Sequence, residues 1–305
     1  MNPDTVGDET VVNDAGEPGG EVEEVDRANM ARVYNYWCGG KDNYLRDREV
    51  GDAVARSSPL VVAGARANRE FLGRAVTYLA RAGITQFLDV GAGLPSAGNV
   101  HEVAQRVNPD ARTIYVDNDD VVIAHARALL ACDAQTIVVN ADARDPENLL
   151  NDPSVRGHLD FSRPVAILFV AILHFLPDDP GAIVKTFRDQ LAPGSAIVIS
   201  HVADLETPPT PGGTPSGGDA EADAAEVREA VALYRRIGAP FALRTRPEIE
   251  ALFDGLEFIA PGLVPAALWR ATPSARAVVA PILAGIGRVN DTTREAVGGD
   301  RATNA

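Results

Sequence analysis

Apolar positions along this chain recur with two different periods. Over residues 64–82 they fall at helical spacing, with Phe71, Leu72, Ala75, Val76 and Leu79 on one face and Gly83 as a stop. From residue 86 onward, short apolar runs alternate with helical stretches. Gln86–Val90, Thr113–Val116, Thr136–Val139, Val165–Val170 and Ala196–Ser200 read as strands. Asn99–Val107, Val121–Ala131, Pro146–Leu150 and Pro180–Leu191 read as the helices between and after them. Val165–Val170 holds no charged residue, as a strand covered on both faces requires. Five strand–helix repeats predict an α/β fold, a doubly wound and mostly parallel sheet with right-handed crossovers.

Beyond the fifth repeat the pattern changes. Residues 206–219 are rich in Pro, Gly and Thr and read as a flexible loop. Helices are expected at Ala222–Ile237 and at Pro247–Phe253, the second capped by Thr245. Leu256–Ile259 reads as a strand. Ile282–Val289 is apolar enough for either element, but Gly285 and Gly287 weaken a helix, which favours a final strand pairing with Leu256–Ile259.

Charge changes the picture at the N-terminus. The net charge is −15, and residues 1–26 carry nine Asp or Glu and no Lys or Arg, leaving −6 for the remainder. Residues 1–26 cannot bury enough surface to offset ordering entropy and read as a disordered acidic tail; residues 291–305 read as a second tail. Residues 27–84 form an N-terminal segment in which Tyr34, Tyr36, Trp37 and Tyr44 crowd around Gly39-Gly40-Lys41-Asp42-Asn43. In a chain with 6% aromatics this concentration predicts packing on the body or over a site. The acidic balance argues against nonspecific nucleic-acid binding. No apolar run reaches membrane-spanning length, and Cys38 and Cys132 carry no metal-ligand or disulfide pattern. A cytoplasmic protein without a metal is expected.

Candidate chemistry sits at strand ends. The run Phe87-Leu88-Asp89-Val90-Gly91-Ala92-Gly93 ends an apolar strand in an acid and two spaced glycines, which allow a tight turn and a close ligand approach. Asp117, after the second strand, can accept from a ribose diol. Asp142, after the third, is placed to meet an adenine amino group. A dinucleotide fingerprint would need a third glycine where Ser96 stands, and Asp89 suits S-adenosylmethionine better. His174, after the fourth strand, is either a general base or a histidine packed in a loop. Arg32 and Lys41 either meet a carboxylate of the cofactor or form surface ion pairs.

The chain resembles the actinobacterial S-adenosyl methyltransferase family from about Ala31 to Val289. The resemblance rests on Ala31-Arg32-Val33-Tyr34 with Gly39-Gly40-Lys41-Asp42-Asn43, on Gln86–Pro95 with Gly98-Asn99-Val100-His101-Glu102, and on Tyr115-Val116-Asp117-Asn118. Leu173-His174-Phe175, Leu191-Ala192-Pro193-Gly194-Ser195 and Trp269-Arg270 complete it; Trp37-Cys38 departs from the family's usual aliphatic pair. It implies a class I methyltransferase, Rossmann-like, with a seven-stranded sheet whose last pair is an antiparallel hairpin. Cofactor contacts are then expected at Asp89, Gly91, Ala92, Gly93, Asp117, Asn118, Asp142, Ala143 and Ala171, with Arg32 and Lys41 on the methionine carboxylate. The acceptor is expected to be a small molecule. The alternative is a non-catalytic S-adenosylmethionine sensor, since fold alone does not fix activity. Tyr34, Lys41 and Asn43 are expected near the open end of the cofactor pocket, as part of a lid.

Overall fold

In the computed structural model of the chain, strand β1 (Gln86–Val90) is buried along its whole length, and the other strands are ordered around it. Residues 28–130, 133–176, 178–204, 220–236, 238–272 and 280–290 are described; the expected tails at 1–26 and 291–305 and the loop at 206–219 lie outside them. β1 pairs in parallel with β2 (Arg112–Asp117) on one side and β4 (Ala166–Val170) on the other. β3 (Thr136–Asn140) continues beyond β2, and β5 (Ala196–Val202) beyond β4, both parallel. Strand order therefore reverses between β1 and β4, which opens a crevice at their carboxyl ends.

Alternation of side chains divides the core into two layers. Leu88, Ile114, Ile167 and Ile197 face one side and pack with Ile183 and Phe187 of helix α8 (Pro180–Arg188). Phe87, Tyr115, Leu168 and Val198 face the other and pack with Phe71, Leu72 and Leu79 of helix α3 (Pro59–Arg81). Each such side chain contributes about 1.5–3 kcal/mol by leaving water. α3 begins five residues before the expected helix because Pro59 occupies its first turn, where a missing N–H costs nothing.

The last strands depart partly from expectation. β8 (Ile282–Arg288) is a strand, as its glycines favoured, and pairs antiparallel with β6 (Glu257–Phe258). That pairing covers two residues only, whereas β8 runs antiparallel to β5 over seven, from Ala196↔Arg288 to Val202↔Ile282. A further two-residue strand, β7 (Val264–Pro265), also pairs with β8, so among the described residues the sheet has eight strands where seven were expected. Gly287 is there for room: a Cβ would stand 2.7 Å from Leu256 and 3.0 Å from Phe253.

Two helices the periodicity did not resolve precede α3. α1 (Met30–Trp37) is capped by Asn29, and α2 (Leu45–Ser57) follows the Gly39–Asn43 turn. α9 (Ala220–Arg236) was expected, and it packs on α2 and α3. The remaining helices are α4 (Val100–Gln105), α5 (Asp120–Leu129), α6 (Pro146–Asn151), α7 (Pro153–His158) and α10 (Arg246–Ala251); α7 follows α6 because Asp152 caps a new start at Pro153. None of the described helices is long and apolar enough to cross a membrane.

One buried ion pair fixes α1 to α2. Arg32 Nε donates to Asp47 Oδ2 at 2.8 Å, and both side chains are almost wholly excluded from water. Asp47 also accepts from the backbone N–H groups of Asn29 (2.9 Å) and Tyr44 (2.7 Å). Asp47→Ala removes the acceptor of all three donors. Urea unfolding is expected to show a loss of about 3–5 kcal/mol, the scale for breaking a buried pair. A loss within that of an ordinary surface substitution would contradict this role.

Candidate functional site

The loop after β1 is held by its neighbours. Gly91 and Ala92 donate their N–H groups to Val116 O at 2.8 and 3.0 Å, and Gly93 N donates to Asp117 Oδ2 at 3.0 Å. Gly91 and Gly93 both lie at positive φ. A Cβ at Gly91 would come within 2.5 Å of Ile172, so only glycine lets this loop approach the one after β4. That second loop starts at Ala171, a non-glycine residue at φ 59° tied to Ser200 through its N–H. Such a conformation costs on the order of 1–3 kcal/mol and is kept where its surroundings fix it.

These loops border one cavity of about 450 Å³, within the range of small-molecule sites. Asp89, Gly91, Ala92, Gly93, Asp117, Asn118, Ala171 and His174 all line it. Asp117 also accepts from Asp119 N at 3.0 Å; burial raises its pKa and these backbone N–H groups partly restore it. Asp89 is 5% exposed, and its carboxylate accepts no hydrogen bond from any described residue. Burial pushes its pKa up to about 7, against the pull of Arg69 and with the repulsion of Asp117.

Arg69 on α3 borders the same end of the cavity, and the sequence reading missed it. Its Nη2 donates to Asn99 Oδ1 (3.1 Å) and to the carbonyls of Ser96 and Ala97, while its buried Nε has no partner. A signal existed: Asn68 and Arg69 interrupt the apolar register of Ala65, Leu72 and Val76 on the inward face of α3.

Four residues expected at the cofactor do not line this cavity. Arg32 faces α2, in its pair with Asp47, because α1 presents Tyr34, Asn35 and Cys38 to the cavity instead. Lys41 is exposed in the turn after α1 and does not border the cavity. Asp142 also lies off the cavity: it is forked by Arg144 (2.9 and 2.5 Å), which holds its pKa low, and reaches the wall only through Asn118 at 3.4 Å. Ala143 is buried in the core beside it.

Part of the N-terminal segment lies against the cavity. Tyr34, Asn35 and Trp37 line the cavity. Asn35 Nδ2 donates to Pro95 O (3.4 Å) in the loop after β1, and Asn43 Nδ2 donates to Asn35 Oδ1 at 3.1 Å. Asn43 thus acts behind the wall rather than in it. A Cβ at Gly40 would fall 2.3 Å from the Asn35 side chain, which accounts for the second glycine of the turn. Asn29 Nδ2 donates to Asp119, the cap of α5, and joins the start of α1 to the end of β2.

His174 sits in a 3-10 turn, Leu173–Phe175, and is 3% exposed. Its Nδ1 is sealed from water without a partner among the described residues. Its ring lies 4.7 Å from Phe241 and 5.3 Å from His201. Arg244 Nη1 donates to His201 Nε2 at 2.8 Å, so His201 carries its proton on Nδ1, toward Val202 O. Burial lowers the pKa of both imidazoles, His201 to about 4, and Arg244 adds to the effect, which disfavours the charged form of each ring. His101, at the start of α4, bonds Tyr115 Oη at 2.8 Å and is part of the packing.

A family model described as S-adenosyl methyltransferase matches residues 19–290. Two solved structures resemble the chain over most of its length. One is a candidate methyltransferase of Thermobifida fusca, 42% identical, covering 88% of this chain and 97% of its own, with a TM-score of 0.77. The other is a DUF574 family protein of Streptomyces avermitilis, 37% identical, covering 87% and 99%, with a TM-score of 0.78. No curated protein matches.

The electrostatics of Asp89 set a stability test. Its folded-state pKa lies above the unfolded value, so its contribution is favourable at low pH and is lost as pH rises through about 7. Without cofactor, Asp89→Asn is expected to be more stable than the parent protein at pH 8, by on the order of a few kcal/mol. Denaturant melts should show this gap closing as pH falls toward about 5. A gap that widens on acidification would contradict the assignment.

Proposed function

This chain belongs to the S-adenosyl methyltransferase family, and on that premise we propose that its cavity holds S-adenosylmethionine at one end and a methyl acceptor at the other. The observation that carries the placement is a carboxyl and a guanidinium nitrogen that each lack a hydrogen-bond partner among the described residues. Asp89 offers a buried carboxylate with no donor, and Arg69 offers a buried Nε with no acceptor, at the same end of one cavity. An α-amino acid group satisfies both, its ammonium on Asp89 and its carboxylate on Arg69. The residues present therefore fit the methionine portion of the cofactor.

The glycine loop leaves its backbone open beside that point, since nothing lies within 4 Å of the Cβ position of Gly93. Asp117, fixed by two backbone N–H groups, accepts from the ribose hydroxyls. When bound, the cofactor supplies an electrophilic methyl group on a sulfonium centre. Ala171 and Ile172 border the route from there toward His174. α1 and the Asn35–Pro95 bond close the cavity from above and exclude water, which would otherwise compete for the acceptor's place. A sensor needs no space beyond the cofactor; the chamber beside His174 favours the enzyme.

Calorimetry with S-adenosylhomocysteine tests these placements. Asp117→Ala and Arg69→Leu should each weaken binding by at least about tenfold, the worth of a charge-assisted hydrogen bond. Lys41→Ala should change it by less than about twofold, because an exposed side chain off the cavity contributes little. Equal losses in Lys41→Ala and Asp117→Ala would contradict the arrangement, and absence of binding by the unaltered protein would remove the cofactor assignment.

A further inference from the structure

The charged groups that border the cavity, among the described residues, are all at its cofactor end: Arg69, Asp89, Asp117 and Asp119. The other end is built differently. Tyr34 and Trp37 from the N-terminal segment, Phe175 after β4, Tyr234 from α9 and Phe241 beyond it line a chamber completed by small and aliphatic side chains. No Lys, Arg, Asp or Glu contributes to that part of the wall.

The rings form a connected array. Tyr234 and Phe241 stand 5.1 Å apart at 35°, Phe175 and Phe241 5.2 Å apart at 84°, and Trp37 and Tyr234 6.3 Å apart at 79°. Rings set at such different angles can offer a flat ligand both stacked and edge-on contacts, which suits a flat ring better than a flexible chain. An ionised group placed among them would lose its hydration without a counter-charge. His174, in contact with Phe175 and Phe241, adds an imidazole whose Nδ1 has no partner among the described residues.

We propose that the acceptor is a small, flat, uncharged aromatic molecule bearing a phenol-type hydroxyl, seated among Tyr34, Trp37, Phe175, Tyr234 and Phe241 with that hydroxyl on His174. The proposal rests on the cofactor placement above. The character of His174 selects the hydroxyl. Its conjugate acid is disfavoured by burial and by Arg244 behind His201, so it is a weak base. A phenol is the more acidic kind of hydroxyl and gives up its proton to a weak base at lower cost than an aliphatic alcohol does as the oxygen–methyl bond forms. In the step, the hydroxyl oxygen forms a bond to the methyl carbon. The carbon–sulfur bond breaks with its electron pair going to sulfur, and the hydroxyl proton passes to Nε2 of His174, since Nδ1 is sealed. One positive charge leaves sulfur as one arises on the imidazole, so the charge of the closed site is unchanged until the proton leaves to water.

Binding to the full chain saturated with S-adenosylhomocysteine tests this without turnover. The probes are 2-naphthol, 2-naphthoate, decahydro-2-naphthol and 2-methoxynaphthalene, each titrated by calorimetry. 2-Naphthol is expected to bind, with 2-naphthoate at least about tenfold weaker because its charge is buried unpaired. Decahydro-2-naphthol, which keeps the outline without the ring electrons, should be several-fold weaker. His174→Phe should bring 2-naphthol down to the affinity of 2-methoxynaphthalene, which has no proton to donate, while S-adenosylhomocysteine still binds. Should that variant not fold, Phe241→Leu serves instead, weakening 2-naphthol while leaving decahydro-2-naphthol unchanged. Equal binding of naphthol and naphthoate, equal binding of the aromatic and saturated alcohols, or S-adenosylhomocysteine binding with no probe bound would each overturn the acceptor class while the cofactor reading stands. Failure of S-adenosylhomocysteine itself to bind would overturn the cofactor reading and this proposal with it.

Discussion

Burying the Asp89 carboxylate without a hydrogen-bond donor works against folding, and the protein holds it there because the sheet dictates where β1 ends. β1 is flanked on both sides, by β2 and β4, with every residue covered. Its last turn cannot relax outward, since Gly91 and Ala92 are bonded to Val116 and Gly91 is pressed against Ile172. Asp89 therefore keeps an unmet demand for a cation or a donor, and the reversal of strand order beside it provides the space for one. Arg69, on α3 across the same space, has the matching demand for an anion.

The N-terminal helices make sense against that crevice. α1 and α2 contribute no charged side chain to the cavity among the described residues, yet α1 is tied to its rim at two points and to α2 at a third. Asn29 reaches Asp119, Asn35 reaches Pro95, and Trp37 Nε1 donates to Gly51 O at 3.1 Å within the segment itself. The Arg32–Asp47 pair gives the segment an interior of its own. The same helices pack through Val33, Trp37 and Val54 in one apolar cluster with Ala65, Val231 and Tyr234; the polar contacts add a specific position, which is what a two-reactant site needs.

The legible part of this protein was its backbone. Strand ends, the Gly91 and Gly93 turn, Asp117 beneath it and the cap at Thr245 follow from local rules about which residues tolerate which conformations, and those rules leave marks in the sequence. What did not show was the direction of long side chains. Arg32 and Lys41 are basic residues in the right segment, but a helix has several faces, and Arg32 is on the one that meets α2. Asp142 is at a strand end as expected, yet Arg144, two residues on, turns its carboxylate aside. Arg69 lay inside a helix read only for its apolar stripe. The reversal of β8 against β5 was likewise hidden, since pairing between strands more than 80 residues apart leaves no local trace.

If the ammonium of the cofactor meets Asp89, that carboxyl must be ionised in the complex although it is largely protonated in the free protein below neutrality. The groups that face it are Arg69 from α3 and Asp117 and Tyr115 from β2. Calorimetric titration of S-adenosylhomocysteine at about pH 6, in two buffers of different ionisation enthalpy, reads the coupling directly. The account predicts release of about one proton per molecule bound, with affinity falling about tenfold for each pH unit below about 7, and loss of the release in Asp89→Asn. Binding with no proton exchange and a flat affinity between about pH 6 and 8 would contradict it.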